Sequence, residues 1–391
     1  MRILVPVHRV LAPLALAALV FTGIAQAQEA QPPHAGPATT SGLVPQRMVP
    51  QGSPSLPLLG KMVALPARGI DRSSLARDGA AGTTLANWTG SFVSQGSTYP
   101  YTMLGTDPSA GSATTAISAV LIPLKVVFSD GTELNAAAPV FGDSRSATKL
   151  TVHSPMFQPA AFTPGGIDVG TTQYIDAFQR ANFWNFVSTT AQDYHVKFNI
   201  ASLEPVQTLN VPAYFGYAAF GGPGKPIGYV NSQWWDDQLA VLLFRLKIGT
   251  ATLPIFLNYN IVEEGGILGY HSAFGNPAQV YMSAGFYDQG ILSYGGDILV
   301  LSHEMGETTD DPFIDNIVPF WFTPTGLGSD LLEVGDPVTD IGIGPILLSN
   351  YVYHPEDLVF LSWFSCTVPS TSVNGWYTFS NYYAGPACNG F

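Results

Sequence analysis

The chain is short of charge: only 11% of its 391 residues are Asp, Glu, Lys or Arg, against roughly 25% in an ordinary soluble protein. Intrinsic disorder is excluded, because 46% hydrophobic residues bury enough apolar surface to outweigh chain entropy. Basic residues are the scarcer sign, 15 against 28 acids, for a net charge of −13. That balance works against nucleic-acid phosphates and anionic lipid headgroups as partners, and suits cations wherever the acids gather. Cysteine is nearly absent, and the two that occur, Cys366 and Cys388, are 22 residues apart. This spacing fits neither a zinc knuckle nor a CxxC redox pair; in an oxidising compartment it predicts one disulfide stapling the chain end. There is no Gly-rich phosphate loop, no G-x-S-x-G elbow and no paired-cysteine zinc motif. Beyond the N-terminus no run approaches the roughly 18 apolar residues of a membrane span.

What is present begins with a secretory signal pattern over residues 1–27. Arg2 and Arg9 supply a positive start, 10–24 an apolar stretch, and Ala25-Gln26-Ala27 a small-residue cleavage site. The expected location is therefore secreted, either extracellular or periplasmic. Residues 28–78 are rich in Pro, Gly and Ser without sustained periodicity and read as a linker or pro-segment. Over 79–165 the pattern changes to short β-branched and aromatic runs at 87–93, 99–104 and 115–128, bounded by turn residues. Ser129-Asp130-Gly131-Thr132 is hairpin-turn chemistry. The expectation is a mostly antiparallel β domain, followed over 166–391 by a metal-binding domain of α+β class. Helices are expected at 171–188, 232–247 and 296–310, with a strand at 252–262.

The third of these helices holds the sharpest chemical signal. It reads Ser302-His303-Glu304-Met305-Gly306-Glu307-Thr308-Thr309-Asp310-Asp311-Pro312. Positions i and i+4 share a helix face, so His303 and Glu307 can address one cation while Glu304 leans over the same spot. This is the HExxH arrangement of zinc hydrolases with a carboxylate for the second histidine. Imidazole and carboxylate both suit zinc, and a carboxylate-rich shell tolerates other divalent cations. Taken alone, a His and two Glu are ordinarily solvated charges on an exposed face. Against that, five of the nine residues 303–311 are ionisable and four are acids, in a chain only 11% charged. Apolar Ile298, Leu299, Val300 and Leu301 lead directly into them, as if the helix entered the core, where an acidic cluster requires a compensating cation.

A third protein ligand is needed, and Glu333 in Leu332-Glu333-Val334-Gly335-Asp336 lies 26 residues after Glu307. Asp336 then suits the outer role of holding the ligating histidine through its other ring nitrogen. Gly-Asp-Pro is also ordinary turn chemistry, and Asp336 can simply cap that turn.

The motif pair resembles two groups of secreted proteins: the plant phosphate-induced, Exordium-like proteins, and zincin-like bacterial proteins with HExxE…TDP…EIGD. Gly269-Tyr270-His271-Ser272 and the aromatic C-terminal stretch from Gly375 are similar to elements of the bacterial group. The likeness covers about 255–391 and implies a zincin-like fold and metal site. Pro337 follows Asp336 where those relatives usually carry a cysteine, so their disulfide arrangement does not transfer.

These readings predict a secreted zinc-dependent metallopeptidase-like hydrolase acting on a peptide or protein, with Glu304 accepting a proton from the attacking water. The ligands are His303, Glu307 and Glu333, and the ion is Zn2+ or another divalent cation. A transition-state stabiliser is sought among His354, Tyr351, Tyr353 and His271, with His354 placed first. The alternative is a non-catalytic extracellular binding or signalling protein with a structural metal. Trp234, Trp235, Trp321, Trp363 and Trp376 raise a glycan as a further candidate partner.

Overall fold

A computed structural model describes residues 61–64, 84–221, 224–292, 295–324 and 326–389. The signal sequence expected over 1–27, and the 28–78 segment apart from 61–64, lie outside the described residues.

The architecture corrects the expected α+β, zincin-like class. Strand residues outnumber helical ones, and the centre is one large mixed sheet of eleven strands. Its main path runs Gly216–Phe220, Pro226–Val230, Ile261–Glu263, Ile267–Phe274, Gln279–Phe286, Leu253–Tyr259, Thr114–Val127, Glu133–Asn135. His195–Leu203 and Gln207–Asn210 also lie parallel to Thr114–Val127, and Lys61–Ala64 lies parallel to Ile267–Phe274. The expected antiparallel domain at 79–165 is corrected too: Thr114–Val127 pairs in parallel with strands from the later part of the chain. The hairpin Asn87–Ser94 with Ser97–Leu104 forms a separate antiparallel pair, and Ala160–Phe162 pairs antiparallel with Gly170–Thr172.

The physical reason lies in burial. Ile267–Phe274 is buried at all but its two ends, and Gln279–Phe286 and Leu253–Tyr259 are buried at every position. Strands covered on both faces lose the alternation that marks a strand in sequence. The glycine-rich stretch around Gly265 and Gly266 is a sharp turn, both residues at positive φ, feeding the strand Ile267–Phe274.

Alternation within Ile267–Phe274 assigns its two faces. Tyr270 sends its hydroxyl to Asp236 at 2.9 Å, and Trp235 donates to Ser283 Oγ at 3.0 Å, so helix Ser232–Leu246 covers one face. Gly269 and His271 point to the other, where helix Leu299–Asp310 packs with all twelve residues buried. Gly269 lets it approach: a Cβ there would sit 2.4 Å from Val300 Cγ1. Helix Tyr174–Asn182 and the hairpin strand Ser97–Leu104 cover the same helix from other sides.

The disulfide expected between Cys366 and Cys388 is formed, with Cα atoms 5.7 Å apart. The indoles of Trp234, Trp235, Trp321 and Trp363 are buried, which removes them from any sugar-binding platform. No helix among the described residues is long and apolar enough to cross a membrane.

Candidate metal centre

Helix Leu299–Asp310 is fixed at both ends by acids. At its start, Asp297 Oδ1 accepts the N–H of Ile298 at 2.6 Å and that of His354 at 3.0 Å. At its end Asp311 precedes Pro312, whose ring disfavours helical geometry in the residue before it. Asp311 then organises the exit by accepting the N–H groups of Asp315 and Asn316. The middle of the helix carries His303, Glu304 and Glu307, each 0% exposed.

His303 Nδ1 lies 2.5 Å from Glu356 Oε2. Facing a carboxylate, that nitrogen carries the ring proton, which leaves Nε2 as the lone-pair side. Nε2 faces Glu307 Oε1 at 2.9 Å and Asp336 Oδ1 at 3.8 Å. A second histidine joins from the sheet. His271 is hydrogen-bonded through Nε2 to the carbonyl of Asp311 at 3.2 Å. Its Nδ1 is therefore free, 3.4 Å from Glu304 Oε2 and 3.6 Å from Glu307 Oε2. Glu333 Oε2 lies 3.9 Å from His271 Nε2, the nitrogen bonded to Asp311, and groups with His271 and Glu307.

The turn after Glu333 wraps the helix. The N–H groups of Gly335 and Asp336 both point at Glu307 Oε1, at 3.3 and 3.2 Å. Gly335 lies flat against the imidazole of His303, so that a Cβ there would sit 2.3 Å from Nδ1.

Two groups of three ligand atoms result, His303–Glu304–Glu307 and His271–Glu307–Glu333, with all atoms in each within 4.8 Å of one another. Several of these atoms have no hydrogen-bond partner although buried: His271 Nδ1 and both oxygens of Glu304. Orphaned buried acceptors on this scale are costly. The ion pairs that Lys125 and Arg145 form involve Glu133 and Asp143, outside the cluster. Burial pushes Glu304 and Glu333 well above the ordinary carboxylate range. For His303, burial lowers the pKa, but Glu307 and Glu356 together outweigh it and hold the ring protonated. That second proton and a cation compete for the same Nε2. Imidazole nitrogens and carboxylate oxygens converging without partners fit a divalent cation, and these buried His and Glu groups can hold one.

Of the residues expected from sequence, His303, Glu304, Glu307 and Glu333 are brought together. The outer role given to Asp336 falls to Glu356. Asp336 is on the lone-pair side of His303, its side chain 15% exposed at the rim, with Gly335 before it lying against the flat of the ring. Glu356 reaches the opposite nitrogen, its own N–H donating to the Oγ of Ser302, one residue before His303. His354, expected as a stabiliser, pairs instead with Asp297 at 2.7 Å, bracing the start of the helix. Tyr353 gives its hydroxyl to the carbonyl of Leu150.

Glu356 also accepts the N–H of Asp340 on its other oxygen at 2.8 Å. A carboxamide offers only one acceptor oxygen, so Glu356→Gln either loses a backbone bond or presents the wrong group to His303. The expected result is metal affinity weaker by about 10–100-fold, measured by competition with a chromophoric chelator; unchanged affinity would deny Glu356 the orienting role.

Compared with protein-family models, curated proteins and solved structures, the chain matches none.

Proposed function

We propose that the chain is a secreted, metal-dependent hydrolase of peptides or proteins, with zinc as its cation. The observation that carries this reading is Glu304. His271, Glu307 and Glu333 already supply a nitrogen and two carboxylates for a cation, with His303 facing Glu307, yet Glu304 adds another carboxylate whose two oxygens have no partner. A site that only stabilises the fold gains nothing from a surplus buried carboxyl group; a site that moves protons requires one. The signal pattern at residues 1–27 and the likeness of the motif pair to secreted proteins support the location.

When bound, the cation supplies Lewis acidity, polarising a carbonyl and acidifying a water. The protein's own residues do the rest. His303 and Glu307 are held one helical turn apart, Glu356 fixes the tautomer of His303, and the carbonyl of Asp311 fixes that of His271. Glu304 takes the proton of the attacking water and returns it to the leaving amine. Asp336, at the exposed rim, marks the side from which a substrate approaches.

One observation favours a second reading, a non-catalytic extracellular binding or signalling protein with a structural metal. The histidines and glutamates are almost wholly buried, and closed sites are the structural kind. Proteolysis assays on the purified protein, before and after chelation and after zinc is restored, separate the two. Hydrolysis lost on chelation and recovered with zinc supports the enzyme; a lowered melting temperature on chelation with no hydrolysis in any state supports the structural site.

A further inference from the structure

The two oxygens of Glu307 face two different histidines. Oε1 is 2.9 Å from His303 Nε2, and Oε2 is 3.6 Å from His271 Nδ1. His303 Nε2 is paired with Glu307, His271 Nδ1 has no hydrogen-bond partner, and both rings are 0% exposed. Each ring is already anchored through its other nitrogen, one to a carboxylate and one to a backbone carbonyl. Second-nitrogen anchoring is how ligating histidines are oriented. The two rings enter from different elements, one from the sheet and one from the helix, with Glu307 between them.

The geometry points to a site for two divalent cations bridged by Glu307. His303 with Asp336 completes one position, and His271 with Glu333 completes the other. The pair rests on the proposed metal centre and goes beyond it in number and in ligand assignment. A bridging carboxylate with one histidine on each side is the donor chemistry of paired-metal hydrolases, where the two ions together clamp attacking and leaving oxygens.

The two triads of ligand atoms, His303–Glu304–Glu307 and His271–Glu307–Glu333, share Glu307. The assignment keeps Glu304 outside both ligand sets, 3.4 Å from His271 Nδ1 and free to carry protons.

The test is a metal count on the full chain, stripped by chelation, incubated with Zn2+, freed of excess by gel filtration and assayed by elemental analysis. Two ions per chain are expected, falling to one in His271→Ala and to one in His303→Ala. One ion in the wild type, lost altogether in either variant, would overturn the pair while leaving the single-metal reading intact; no ion would overturn both. Should either variant fail to fold, Mn2+ loaded into the wild type answers the same question by electron paramagnetic resonance. An exchange-coupled spectrum is expected, and an isolated Mn2+ signal at saturation overturns the proposal.

Discussion

Glu304→Gln is expected to lower the rate of peptide hydrolysis by about 10²–10⁴-fold, the usual worth of a positioned general base, while the protein keeps its metal and its fold. The reasoning is local. Glu304 is fully buried, and its two oxygens make no hydrogen bond. Burial raises its pKa well above the ordinary range, and glutamine has nearly the same shape. The substitution therefore removes a proton acceptor and little else. Metal content, melting temperature and turnover measured on the same preparation decide the matter. A variant that retains its metal and its full rate removes Glu304 from the chemistry.

The second large effect is expected at a residue with no side chain. In Gly335→Ala the new methyl group would sit 2.3 Å from His303 Nδ1 and 2.5 Å from Cε1. The backbone there has φ −88 and ψ −39, ordinary helical values for any residue, so the substitution is strained only by contact with the ring. Either the imidazole leaves Glu356 and turns Nε2 away, or the 333–336 turn lifts off Glu307. Both routes take apart ligands. Metal affinity should fall by at least about 10–100-fold, the scale for losing the support of a ligand. Overpacking should cost about 1–3 kcal/mol of stability in addition. Chelator competition and thermal unfolding read the two effects separately. Wild-type affinity in this variant would mean that His303 is not held where the ring now stands.

Half of the centre was legible in the sequence, and the reason is scarcity. Charge is so rare in this chain that four acids and a histidine within nine residues stand out, and the i, i+4 rule then places His303 and Glu307 on one face. Glu333 followed from needing another ligand on a later segment. His271 was visible in the Gly269-Tyr270-His271-Ser272 resemblance and as one of several candidates for stabilising a transition state, not as a ligand. It sits in a strand without acidic neighbours at ligand spacing, and only the pairing of Ile267–Phe274 inside the sheet brings it under the helix. A lone histidine close to glycine in a largely apolar strand, shortly before the helix, was the available signal. Glu356 was less visible still, since nothing in its own segment relates it to His303. The assignment of Asp336 to the outer role failed on a question of which edge of a ring a turn would face, and spacing along the chain carries no information about that.

The fold was less legible than the site. The turn at 129–132 forms as its Asp-Gly chemistry requires, with Gly131 at φ 88, and helix Ser232–Leu246 lies where its apolar stripe placed it. Strand partners were another matter. Thr114–Val127 reads as a strand from its composition, but its parallel neighbours come from 195–210 and 253–259. Local pattern specifies that a segment is extended, not which segment it will lie beside.

If His303, His271, Glu307 and Glu333 surround a divalent cation, crystals grown with zinc and measured on either side of its absorption edge will show it most directly. An anomalous peak in contact with His303 Nε2 and Glu307 is the predicted result. A map without a peak there, with His303 bonded directly to Glu307, would contradict it.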